Sequence, residues 1–227
     1  MKKINIELKD VCNYEINLLY NNDIFTDMTK ELINKDLNDW KNTIWYNYYK
    51  TFNPKSLDDI YKINSKTLKN LPAETIFEPW THDKPIELNM MKRLGMYGIK
   101  DDDYIYNQIK KTKYLVDSIK KNGYTESNAI KNNVVVEILK YKEKEKYLVM
   151  SGNHRINVLK ALNYKKINVF LKDNIFLKQK NLINNKRFKK NKSYNCVINY
   201  DNAENWPAVK SGYMNIEEAQ KMFLSYF

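Results

Sequence analysis

Tyr147-Leu148-Val149-Met150-Ser151-Gly152-Asn153-His154-Arg155-Ile156 is the stretch on which the reading of the fold turns. Its first four residues form a short apolar run of the kind found in a buried strand, and Ile156 to Leu162 carries the spacing of a helix. A second apolar run, Ile167 to Leu171, follows at once. Strand, glycine turn, helix and strand in that order aim a polar turn and a helix N-terminus at whatever lies above the sheet edge. The unpaired N–H groups of a first helical turn, with the positive end of the helix dipole, favour an anion there. His154 and Arg155 add an imidazole and a guanidinium, which makes phosphate the fitting guest for Ser151, Gly152, Asn153, His154 and Arg155. The same residue types also serve ordinary turns, with Ser or Asn as a plain helix cap.

Working outward, Val134–Tyr141 and Tyr147–Met150 flank Lys142-Glu143-Lys144-Glu145-Lys146, which predicts a β-hairpin with a charged tip. A helix precedes it. Asp101 to Asp103 mark its start, Ile105, Ile109, Val116 and Ile119 its buried face, and Asn122-Gly123 its end. Residues 2–9 alternate Ile4, Ile6 and Leu8 with polar neighbours, as a half-exposed strand does. Leu37, Trp40, Ile44 and Trp45 recur at helical spacing, with Asp36 as cap and Pro54 as stop, and Ser56 to Ile63 reads as another short helix. The tyrosines among Trp45-Tyr46-Asn47-Tyr48-Tyr49 point in several directions on a helix, which favours core and rim packing over a base-stacking platform. Pro72, Pro79 and Pro85 punctuate an irregular stretch rich in acids. Near the end, Asn215 and Glu218 form a capping-box pair, with Ile216, Ala219, Phe223 and Phe227 placed to pack the last helix on the core. The expected fold is α+β, a small mixed sheet with helices. Residues 1–75 form a mainly helical extension, 76–175 the core, and 176–227 a basic loop and a C-terminal helix.

The run from Ser151 through Leu159-Lys160-Ala161-Leu162-Asn163-Tyr164-Lys165-Lys166-Ile167-Asn168-Val169-Phe170 resembles the ParB/sulfiredoxin superfamily. That signature is a G-x-H-R or G-E-R-R turn, a helix, and then L-G-x-x-x-I-P-V. The likeness covers about residues 100 to 175 and implies a stand-alone, ParB-like member. It implies that Gly152, His154 and Arg155 hold the phosphates of a nucleotide, ATP or CTP, with Mg²⁺. Nucleotide hydrolysis or phosphoryl transfer to a small-molecule acceptor would follow. Sulfiredoxin chemistry does not carry over, because Asn153 occupies the place of the reactive cysteine and an amide offers no thiolate. Nor does chromosome partitioning, since the residues after Leu171 leave little room for a helix-turn-helix domain. In the related free-serine kinases the acting carboxylate lies shortly before the helix that precedes the hairpin. Here that points to Glu78, Asp83 and Glu87, with Glu87 favoured as nearest to Arg93–Gly98.

Composition bounds the remaining classes. The net charge of +12 is concentrated: residues 151–200 hold twelve bases against the single acid Asp173. Such a block faces a polyanion or a nucleotide. Its alternative reading is a non-catalytic DNA- or RNA-binding surface, with Lys186, Arg187, Lys189 and Lys190 as the contacts. Two distant cysteines and two histidines match no metal spacing, so no protein metal site is expected. No run approaches the roughly 20 apolar residues of a membrane span, and the N-terminus lacks a secretory signal pattern, which makes the expected location cytoplasmic and a membrane partner unexpected.

Overall fold

The computed structural model describes residues 2–13, 24–73, 75–86, 99–125, 133–172 and 196–227. Its strands are β1 (Lys3–Glu7), β2 (Val11–Asn13), β3 (Val135–Tyr141), β4 (Lys144–Ser151), β5 (Lys166–Leu171) and β6 (Val197–Asn199). Its helices are α1 (Ile24–Leu32), α2 (Ile44–Thr51), α3 (Leu57–Tyr61), α4 (Lys66–Lys69), α5 (Asp102–Asn122), α6 (Asn153–Ala161), α7 (Pro207–Lys210) and α8 (Ile216–Leu224). The fold is α+β with a mixed sheet ordered β1-β5-β3-β4-β2. β1 runs antiparallel to β5, β5 parallel to β3, β3 antiparallel to β4, and β4 parallel to β2.

Strand β3 is the axis of this arrangement. Its edge away from β4 is shared by two strands in tandem: Val135 and Val136 pair with Phe170 and Leu171 of β5, and Ile138 to Lys140 pair with β6. The exchange happens at Glu137. Lys172 N–H donates to Val136 O at 2.9 Å, and Ile138 N–H donates to Cys196 O at 2.8 Å.

Successive strand side chains point to opposite faces, and each face has its own core. One face presents Val136, Ile138, Val149, Ile167, Val169 and Leu171 to Ile156, Val158 and Leu159 of α6 and to Val116 and Ile119 of α5. The other presents Leu139 and Leu148 to Trp45, Tyr48 and Tyr49 of α2, to Ile105 and Ile109 of α5, and to Trp206, Met222 and Phe223 near the C-terminus. Helix α5 therefore serves both cores along its length.

Several elements depart from the expectations. The helix predicted through Leu37–Trp45 is divided: a 3-10 segment, Leu37–Asn42, ends before α2 starts. Thr43 stands extended between them, and its hydroxyl caps the Tyr46 N–H, so a new helix begins where one continuous helix was read. The hairpin tip is shorter than predicted, because Lys144–Lys146 pair with Leu139–Tyr141 inside the ladder. Ile216 is 41% exposed and does not join the core, whereas Ala219 and Phe223 are fully buried. Trp45, Tyr48 and Tyr49 are buried, as core packing requires. Among the described residues no helix is long and apolar enough to cross a membrane.

Candidate functional site

Strand β4 ends at Ser151, whose Cα partner is Val135 on β3. The next residue, Gly152, turns the chain with φ 99° and ψ 18°. A Cβ there would lie 3.0 Å from Val134 Cγ2 and 3.1 Å from Val134 Cα. Both the left-handed conformation and the close approach of β3 select glycine. Helix α6 then starts at Asn153, three residues earlier than the periodicity indicated, with Gly152 as its N-cap and no side-chain cap. The Ser or Asn cap that the sequence allowed is not formed. The first intrahelical donor is Ile156 N–H, bonded to Gly152 O at 3.1 Å, and no side chain caps the N–H groups before it.

Polar and cationic groups gather at this helix start. Asn153 Oδ1 is buried without a hydrogen-bond partner. Arg155 is half-buried and His154 is exposed. Although the His154 ring reaches solvent, the protein mass around it disfavours the charged form, and Lys111 and Arg155 add repulsion, so its pKa falls below the ordinary imidazole value. Lys111, from α5, thus joins His154 and Arg155 in one positive patch. Nothing local in the sequence marked Lys111, since only the packing of α5 beside α6 brings it there.

A second polar group lies on β3, two residues beyond Val135, the Cα partner of Ser151, with a register shift between Val135 and Val136. Glu137 is 0% exposed, and Lys172 Nζ holds its Oε1 at 2.6 Å. Glu78 and Trp80 of the 75–86 segment complete the surroundings, both buried. Burial raises the Glu137 carboxyl, Lys172 opposes that rise, and the Glu78 charge reinforces it, leaving the pKa at about 7. The Trp80 indole lies close enough to bias the carboxylate. Neither Trp80 Nε1 nor Glu137 Oε2 reaches a hydrogen-bond partner, however. Leaving a buried charge half-satisfied is costly, so such a cluster is an expensive feature for a core to retain.

The sequence-predicted site residues therefore divide. Ser151, Gly152, Asn153, His154 and Arg155 converge on one turn. Of the proposed carboxylates, Glu78 is buried beside Glu137, while Asp83 is exposed and its backbone carbonyl accepts from Ser211 Oγ at 2.7 Å. Glu87 lies outside the described residues, as do Lys186, Arg187, Lys189 and Lys190. Glu137 and Lys172 were not anticipated. The available signal was a lone acid inside the apolar run Val134-Val135-Val136-Glu137-Ile138-Leu139. Among the described residues no group of three or more His, Cys, Asp or Glu side chains is placed to hold a metal ion. Comparison with protein-family models, with curated proteins and with solved structures finds no match for this chain.

Proposed function

We propose that the chain binds a nucleoside di- or triphosphate, with its phosphates on the Ser151–Arg155 turn. The observation that carries this reading is the start of α6. It is an N-terminus without a side-chain cap, set on a glycine that β3 leaves no room to replace, beside Lys111, His154 and Arg155. Backbone N–H groups, the helix dipole and three basic side chains all favour an oxyanion at that point. The resemblance of Gly152, His154 and Arg155 to the ParB/sulfiredoxin turn supports the same guest and extends it to ATP or CTP. Any Mg²⁺ would arrive on the phosphates themselves, as is common for this ion.

Calorimetric titration with ATP and with CTP in the presence of Mg²⁺ tests the proposal. Arg155→Ala should weaken binding by about 1.5–3 kcal/mol, the usual worth of a hydrogen bond to a charged group. A wild-type protein that binds neither nucleotide at millimolar concentration would overturn the reading. A nucleic-acid ligand instead would reveal itself by an affinity that falls steeply with added salt.

A further inference from the structure

Strand β1 ends the sheet on one side, and its outer edge carries a pattern that the nucleotide reading does not use. In the order β1-β5-β3-β4-β2, no strand among the described residues pairs with β1 on the side away from β5. The ladder decides which backbone groups face that edge. Leu171 N–H donates to Lys2 O and Leu8 N–H to Lys165 O, both at 2.8 Å, so the even-numbered residues bond inward to β5. Hydrogen-bonded and non-hydrogen-bonded pairs alternate along an antiparallel ladder. Lys3, Asn5 and Glu7 therefore turn their N–H and C=O groups outward. Their side chains share one face of the sheet, where Asn5 Nδ2 donates to Asn168 Oδ1 at 2.9 Å and Lys166 Nζ holds Glu7 Oε1 at 3.0 Å. Ile4 and Ile6 lie on the other face, Ile4 half-buried and Ile6 buried.

An outward row of backbone donors and acceptors is a template for another strand. Lys3-Ile4-Asn5-Ile6-Glu7 is complementary to itself when reversed about Asn5. A second copy, related by a two-fold axis at Asn5, sets Lys3 opposite Glu7, Ile4 opposite Ile6, and Asn5 opposite Asn5. Opposite charges and apolar pairs facing each other across antiparallel strands are favourable, whereas like charges are not. An axis at Lys3 would oppose lysine to lysine, and one at Glu7 acid to acid. The charges thus reject those registers and accept the one in which all three outward residues pair. In that register the Asn168–Asn5 amide pair extends into a row across both copies, and the second oxygen of Glu7 accepts from Lys3 of the other copy. We propose that β1 is a self-association edge, through which two copies of this chain join their sheets into one by antiparallel β1 pairing. Such an interface is isologous, the commonest kind among homo-oligomers. One short edge per copy buries little area, so the dimer forms reversibly with rising concentration.

Sedimentation velocity on the full chain without nucleotide, over about 5–500 µM, tests this separately from the nucleotide reading. Wild type should move toward twice the chain mass of 27.3 kDa as concentration rises. Glu7→Lys and Lys3→Glu each set like charges opposite one another and should weaken self-association about tenfold, while an equimolar mixture of the two variants should associate again. Both residues are on the surface, so neither variant threatens the fold. Asn5→Cys supplies a direct reading of the register. The two-fold places the Asn5 Cα atoms roughly 5.5 Å apart, the spacing a disulfide spans. The Lys3 Cα atoms of the two copies lie roughly 14 Å apart, beyond such reach. Under mild oxidation Asn5→Cys should cross-link to a dimer at least tenfold faster than Lys3→Cys, with wild type giving the background from Cys12 and Cys196. A wild type that stays monomeric throughout overturns the proposal. So does a dimer indifferent to both charge reversals, or equal cross-linking at positions 3 and 5.

Discussion

A methyl group at position 152 would meet Val134 at 3.0 Å while the backbone there holds φ at +99°. Replacing Gly152 with Ala therefore imposes an uncommon conformation and a contact with β3 at once, and Val134 is itself 0% exposed with little room to give way. Strained backbone of this kind costs about 1–3 kcal/mol. Gly152→Ala should lower the urea unfolding midpoint accordingly and weaken nucleotide binding, because relief of the strain shifts the first N–H groups of α6. Gly123, with φ +71° and nothing within 4 Å of its notional Cβ, is the control. Substitution there meets only the conformational cost and should leave nucleotide affinity unchanged.

Helix α5 ties the N-terminal helices to the sheet, and its start shows how. Asp101 caps it, accepting from Tyr104 N–H at 2.7 Å. Asp102 reaches the other way, with Lys41 Nζ at 2.7 Å and Lys50 Nζ at 2.8 Å. Those two lysines hold the Asp102 carboxyl down at about 2. The pairs are solvent-exposed and contribute little to stability at neutral pH. The cap is the stronger local device. Asp101→Ala should cost about 0.5–2 kcal/mol, and Asp101→Asn much less, since an amide oxygen can accept the same bond. Equilibrium urea unfolding followed by circular dichroism distinguishes the two. The contrast with the 37–49 region is instructive. Both stretches carry aspartate caps and helical spacing, yet Thr43 starts a second helix in one, whereas no competing cap interrupts α5.

At the scale of the whole molecule, the sheet is covered on both faces, and the C-terminal residues close the Glu137 side. Phe223 packs against Trp206 at 5.3 Å, Phe227 at 5.5 Å and Trp80 at 5.6 Å between ring centroids. The Ala208 N–H also donates to Pro79 O at 3.1 Å, so the same C-terminal layer grips the segment that carries Glu78 and Trp80. Phe223→Ala should destabilise the fold by about 3–5 kcal/mol, as deletion of a buried aromatic ring does, and denaturant titration measures it. The short strands β2 and β6 were not read from the sequence, whereas β1, the hairpin, β5, the long helix with its caps and the turn at Gly152 were. Each depends on neighbours within a few residues, through alternation, helical spacing or glycine's freedom at positive φ. The basic turn was legible for the same reason, as Ser151 to Arg155 are consecutive. Only the tertiary structure decided that Glu137 meets Lys172 and that Trp80 lies beside both. It alone placed Lys111 next to His154, and β5 and β6 in tandem on one edge of β3. Those partners are far apart along the chain, and sheet register and helix packing, which no local pattern encodes, bring them together.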